Sequence, residues 1–424
     1  MKIIDYVVVG AGAAGTYVAM ELAKKKDKSV LLIEKSYRVG GRLSTKQIEK
    51  DISIEAGAAR YSNLHVKLVK LIKRLGLNDK KIKISGDTEF IPYRKQYKNI
   101  KFTRVEDLMK DLVKKANRLP KKKQLEYTFT SFCEEVYGKE HLDFLINAFA
   151  YYGRIRYMNL HDVVRSLIDY IDYNIQFYVL AGGLQQVAIR CTEEMKKNGG
   201  KLNLNTALTD FTYDKEQKIF SLVLKDEKTS RKSMLTCRNL VIAIPKEFLE
   251  KIKYFQRSKE LTSLINTVRP YELMRVYARY PVPKNGKVWF HDLPGKFTTN
   301  NKLRFVIQID PSKGTIMIAY PNADYTKYWH NAEKNGSLNS KLMKHLKELF
   351  PDKEIPEPKW VIPYFWSTGG NTWLPNVDSL SVSKKMLQPV KNEPLYICGE
   401  SYSRWQAWVE GALETADKVL EIID

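Results

Sequence analysis

Residues 7–15 read VVVGAGAAG, and no other stretch restricts the fold of this chain as much. The apolar run Val7–Val9 opens into Gly10-Ala11-Gly12-Ala13-Ala14-Gly15. Beyond it Val18, Ala19, Leu22 and Ala23 share one face of a helical pattern, and a second apolar run, Val30–Ile33, ends in Glu34. Strand, glycine turn, helix, strand and acid, in that order, make up the βαβ dinucleotide fingerprint. Gly10 permits the tight turn, Gly12 lets a pyrophosphate approach the backbone, and Gly15 lets the helix lie against the strand. The helix N-terminus at Ala13 and Ala14 turns unbonded N–H groups and a positive dipole end toward the phosphates. Glu34 accepts hydrogen bonds from a ribose 2′-OH and would repel a 2′-phosphate, so the adenosine half is not NADP-like. Lys35, next along, joins the cofactor-binding set.

Arg38-Val39-Gly40-Gly41-Arg42 follows shortly after the acid. Such a GGR brings backbone up to a diphosphate and adds the charge of Arg42, which FAD enzymes use and a simple NAD dehydrogenase does not need. A second anchor closes the chain: Leu395-Tyr396-Ile397-Cys398-Gly399-Glu400, then Trp405-Gln406-Ala407-Trp408-Val409-Glu410-Gly411-Ala412. With these two anchors the sequence resembles the flavin amine oxidase superfamily, which includes monoamine, polyamine and L-amino-acid oxidases. The resemblance is strong at the two ends and patchy between them. It implies an α/β fold with a Rossmann-type FAD-binding domain, a mixed-sheet substrate domain and a helical insertion. The expected segments are 1–61, 183–250 and 365–424 for FAD, and 62–182 and 251–364 for substrate, with the insertion at about 103–180. Within the insertion 105–118, 131–150 and 160–173 read as helices.

The resemblance also assigns residues. Gly57-Ala58-Ala59 are small where backbone passes the flavin ring, and Leu208 lines the adenine through its backbone. Gly399 and Glu400 serve the ribityl or diphosphate region. The helix from Val409, with Ala412 on its packed face, points its N-terminus at the flavin pyrimidine, where its dipole favours negative charge. Asn371 stands after Gly369-Gly370 where monoamine oxidases place a flavin-linked cysteine, so FAD is expected to be non-covalent. Arg60 matches the arginine with which L-amino-acid oxidases clamp a substrate carboxylate, and it also borders the cofactor. Trp408 matches one wall of the aromatic slot beside the flavin, with Trp373 or Thr372 opposite. Arg275 stands where many relatives carry a lysine that holds water at flavin N5. An arginine stays protonated, so it is no base, and it places flavin reoxidation by O2 in question.

The expected reaction is oxidation of an amino-acid or amine α-C–N bond by hydride transfer to the flavin, with O2 as electron acceptor. Rivals on the same fold are a polyamine or monoamine oxidase and an FAD desaturase. The formal charge of +23 admits a non-catalytic alternative, a flavoprotein that binds nucleic acid or another acidic partner. The lysines are spread along the chain, which disfavours that alternative. The 424 residues suffice for two domains, and no window nears the roughly 18 apolar residues of a transmembrane helix. The N-terminus enters the first strand almost at once, which leaves no room for a signal peptide. Cys133, Cys191, Cys237 and Cys398 show no paired spacing and the six histidines are scattered. The expectation is therefore a cytoplasmic protein with reduced thiols and no metal site.

Overall fold

The structure is a computed structural model and describes residues 3–94, 97–172 and 174–423. Tyr173, the end of the expected 160–173 helix, lies outside the described residues, as do Met1, Lys2 and Asp424 at the ends of the expected FAD segments. The chain divides into two compact units. The first comprises Met1–Ile84, Ile175–Pro270 and Gly370–Asp424, and the second Ser85–Asn174 and Tyr271–Gly369.

The first unit is built on a seven-stranded sheet. Its first strand, Ile4–Val9, lies parallel between Val30–Ile33 and the C-terminal half of Lys232–Ile242, with Val9 opposite both Ile33 and Ile242. Lys201–Asn203 extends the sheet beyond Val30–Ile33, and Leu395–Ile397 pairs in parallel with Lys232–Ile242. Strands covered on both faces read as unbroken apolar runs, which is why Val7–Val9 and Val30–Ile33 do not alternate. The N-terminal half of Lys232–Ile242 instead joins an antiparallel ladder with Ile219–Asp226 and Thr206–Asp214, and Ile219–Asp226 alternates inward and outward. Helices Ala13–Leu22, Gln186–Lys197 and Val409–Ile422 share one core through Val18, Leu22, Ala188, Met195, Ala416 and Val419.

Two helix glycines permit this packing. A Cβ on Gly15 would lie 1.8 Å from the Gly10 carbonyl oxygen, and one on Gly411 would lie 2.1 Å from Ser403 Oγ. Each helical glycine costs about 0.5–1 kcal/mol relative to alanine. Each Leu or Val buried by the close approach returns about 1.5–3 kcal/mol, so packing wins.

The unit boundaries differ from the expected segments. Residues 62–84, 175–182 and 251–270 belong to the first unit, and 365–369 to the second. Phe177–Leu180 is a strand that pairs with Lys81–Ile84 and Tyr61–Ser62, which ties the first two of these segments into one small sheet. Residues 251–270 pack through Tyr254, whose ring stacks on Phe211 at 4.1 Å. In the second unit a six-stranded sheet runs in the order Trp360–Trp373, Val268–Arg279, Thr315–Ala319, Phe305–Asp310, Lys296–Thr298, Glu89–Phe90. Its helices include Val105–Ala116. The expected 131–150 helix is instead two, Phe129–Tyr137 and Lys139–Ala148, broken where Gly138 takes φ +80°. The expected 160–173 helix is likewise split, into Leu160–Ser166 and Ile168–Ile171.

Candidate functional site

The glycine turn of the first unit forms an open-fronted cradle. Gly10 takes φ +98°, and a Cβ there would lie 2.6 Å from the Ala243 carbonyl oxygen. A Cβ on Gly12 would meet no protein atom within 4 Å. Gly12 is also the N-cap of Ala13–Leu22 and supplies no side-chain cap, so the first-turn N–H groups face outward as an anion site. The GGR loop is held beside this turn: Gly40 N–H donates to Ala11 O at 2.7 Å, and Gly41, at φ +55°, brings its Cβ position within 3.2 Å of Gly12 Cα. The tight turn, the bare Gly12 and the uncapped helix end fit a dinucleotide diphosphate.

Glu34 is buried at the end of its strand. Its carboxylate accepts from Ala11 N–H and Ser36 N–H, both at 2.8 Å, so it braces the turn as well as standing at the expected ribose position. Thr206 N–H donates to Glu34 O at 2.8 Å, which starts the strand carrying Leu208 beside this acid. Lys35 reaches away to place its ammonium 4.2 Å from the Phe248 ring centroid.

Glu400 knots the two sequence anchors together. Its carboxylate, 5% exposed, accepts from Arg42 Nη1, Asn371 Nδ2 and Ala407 N–H, each at 2.7 Å. Burial pushes this carboxyl's pKa up, but the Arg42 charge and the bonds from Ala407, Arg42 and Asn371 outweigh it and hold the group below its ordinary value. Gly399, at φ +134°, exchanges hydrogen bonds with Thr415 on the closing helix. Gly57 must lack a side chain for a different reason: its Cβ would lie 1.9 Å from Arg42 O, to which Ala58 N–H donates at 2.8 Å.

Arg60, one residue past Ala59, places its guanidinium 4.5 Å from the Phe177 ring centroid and 5.9 Å from that of Trp408. Trp408 is the N-cap of Val409–Ile422, where no side chain caps the helix. Val409 and Ala412 are buried at that helix's start, with Ala412 in the shared core. Trp373 does not join this group, contrary to the expectation of a substrate-facing wall. It is 1% exposed, its Nε1–H donates to Ser403 O at 3.1 Å, and its N–H donates to Gln406 Oε1 at 2.9 Å. A ring sealed on all sides supports the 401–407 loop from behind. Thr372, the other candidate, is equally buried, and its hydroxyl donates to Arg269 O at 3.2 Å. Arg275 belongs to the second unit, where it is buried against Tyr320 with Nη2 3.3 Å from the phenol oxygen.

Three residues with structural work at the site were not singled out from the sequence. Arg38 donates to Gly41 O at 2.8 Å and Leu43 O at 3.1 Å, which shapes the GGR loop, and its place two residues before the glycines was the available signal. Gln406 bridges Trp373 N–H and Ser401 O. Glu410 accepts from Lys67 N–H at 2.9 Å and Leu68 N–H at 3.0 Å, capping Val66–Arg74 from the closing helix.

A family model described as flavin-containing amine oxidoreductase matches residues 13–419. Aplysianin-A from Aplysia kurodai is 24% identical over 514 residues, covering 99% of this chain and 90% of that protein. Achacin from Lissachatina fulica is 42% identical over 80 residues, which are 18% of this chain and 15% of the relative. Two structures of putrescine oxidase redesigned in cofactor binding superpose with TM-scores of 0.75 and 0.74. Both are 17% identical to this chain, cover 98% and 99% of it and are themselves 98% covered, a likeness of fold.

Proposed function

The chain belongs to the flavin-containing amine oxidoreductases and is an FAD-dependent oxidoreductase; from that premise we propose that its substrate is an L-amino acid or a related primary amine, oxidised at the α-C–N bond with O2 as electron acceptor. The observation that carries the amino-acid reading is the Arg60 guanidinium lying between Phe177 and Trp408, within cation–π range of both rings. A guanidinium seated among aromatic rings carries its N–H donors in one rigid plane. That planar fork matches a carboxylate in bidentate fashion. A polyamine offers no anion to such a group, and the cation would repel it.

The residues that would hold FAD non-covalently are the N–H groups of Ala13–Gly15, the Gly41-Arg42 backbone and charge, Glu34 at the ribose, Leu208 at the adenine, and the N-terminus of Val409–Ile422. When bound, FAD supplies the two-electron chemistry that converts the amine to an imine; water then releases a keto acid or aldehyde plus ammonia, and O2 leaves as H2O2. The protein's share is placement. Arg60 fixes the carboxylate end, and Trp408 limits the orientation of the α-carbon. The dipole of Val409–Ile422 favours negative charge at its N-terminus. Glu400 holds the Ala407 N–H, and with it the entry into Trp408.

The test is peroxide release from the purified flavoprotein with L-amino acids, monoamines and polyamines. Amino acids should be the best substrates. Arg60→Ala should raise KM for them by about 10–100-fold, the worth of a charge-assisted hydrogen bond, and leave amines lacking a carboxylate little changed. Equal effects on both classes would remove Arg60 from the carboxylate site.

A further inference from the structure

The ring that packs most closely on Trp408 is neither Trp373 nor a residue of the closing segment. It is His65, in the first unit, with centroids 4.5 Å apart and planes 59° apart. His65 is 0% exposed. Its Nδ1 accepts the Ser62 N–H at 3.1 Å, which leaves that nitrogen without a proton and fixes the ring's rotation. The edge of Trp405 lies 5.5 Å away at 79°. The second and third N–H groups beyond His65, of Lys67 and Leu68, donate to Glu410, two residues past Trp408. The imidazole is therefore held by Ser62, and the backbone just beyond it is tied to a carboxylate on the same helix that begins after Trp408.

A sealed aromatic ring whose rotation is fixed contributes a flat, unyielding surface. It cannot meet substrate, since no part of it reaches solvent. What it can do is limit the tilt of the indole beside it. Tilted ring pairs have preferred geometries beyond simple burial, enough to favour one indole plane by up to about tenfold.

We propose that His65 is a positioning residue that sets the plane of Trp408 and, through it, the orientation of the substrate α-carbon. This rests on the reading that Trp408 flanks the substrate. His65→Asn keeps an acceptor for Ser62 N–H and removes the ring. His65→Phe keeps a ring and removes the acceptor. The two variants, Trp408→Phe, and His65→Asn combined with Trp408→Phe are compared as holoenzymes for kcat and KM with an L-amino acid. FAD affinity, thermal unfolding and the near-UV dichroism of the apoprotein are measured beside them. His65→Asn should lower kcat about tenfold with little change in KM or FAD affinity, and should weaken the tryptophan dichroism. His65→Phe should recover most of that loss. In the Trp408→Phe background His65→Asn should cost nothing more.

Unchanged kcat in His65→Asn overturns the proposal while Trp408→Phe still lowers kcat. So does an equal loss in His65→Phe and His65→Asn, which marks a merely structural histidine. If Trp408→Phe itself leaves kcat and KM unaltered, the reading of Trp408 fails first, and the dichroism alone then reports whether His65 orients the indole.

Discussion

Glu400→Gln is the substitution that most directly tests how the two ends of the chain are joined. The carboxylate accepts from Arg42, Asn371 and Ala407, all at 2.7 Å, and every one of these partners is a donor. A glutamine offers one oxygen and one NH2. If the oxygen faces Ala407, the NH2 confronts Arg42 and Asn371; if it is turned about, the NH2 confronts the Ala407 N–H. Either way a donor meets a donor and Arg42 loses its counter-charge. Breaking a buried ion pair costs about 3–5 kcal/mol. The Arg42 side chain is 25% exposed, so water replaces part of what it loses, and about 3 kcal/mol is the expected figure.

The pH dependence gives a second, independent check. The Glu400 carboxyl is held below its ordinary value of 4.5 in the folded protein. A depressed carboxyl stabilises the fold at pH above its unfolded pKa, and the contribution is lost as pH falls through the lower, folded value. The gap between parent and Glu400→Gln should therefore be full at pH 7 and close progressively below pH 4.5. Urea unfolding of the apoproteins between pH 7 and pH 3.5, followed by tryptophan fluorescence, measures it. A gap under about 1 kcal/mol at pH 7, or one that stays constant into acid, refutes the reasoning, because a buried charge pair requires both a large cost and its titration.

Other substitutions separate the roles of individual residues. Gly12→Ala should fold normally, since its Cβ meets no protein atom within 4 Å, yet bind FAD about tenfold or more weakly. Gly15→Ala should fail to fold normally even without cofactor, since its Cβ would lie 1.8 Å from Gly10 O; equal unfolding temperatures for the two apoproteins would sink the distinction. Ala407→Gly should stabilise the apoprotein by about 0.5–1 kcal/mol, because Ala407 holds φ +64°, which costs a residue with a Cβ about 1–2 kcal/mol, and glycine returns part of this as chain entropy. Destabilisation in a urea titration would show that the Ala407 methyl packs more than it strains. Trp373→Phe should cost about 1 kcal/mol through the lost bond to Ser403 O and leave KM unchanged; a large KM change would return Trp373 to the substrate site.

What the sequence disclosed and what it concealed divide along chain distance. The glycine turn was legible because its constraints are local: the crowding of Gly10 against Gly15 and the hydrogen bond from Ala11 to Glu34 arise within one βαβ unit. The short strand Phe177–Leu180 was hidden, since four residues carry little pattern and its partners lie near residues 61 and 81. Two tryptophans could be placed near the site but not ranked, because composition does not say which indole is sealed, and Trp373 proved to be the inner one. The three glutamates show the division most sharply. Glu34, Glu400 and Glu410 are all buried, and each is satisfied by backbone N–H groups. Glu34 bonds a partner 23 positions away and could be read from a motif. Glu400 was found through its resemblance, but its bond to Arg42 spans 358 positions and could not be derived from spacing. Glu410, quoted in the same closing motif, bonds Lys67 across 343 positions. A motif marks such a residue as fixed without saying what it holds, and in Glu410 it holds the start of the helix that carries His65 at its N-cap.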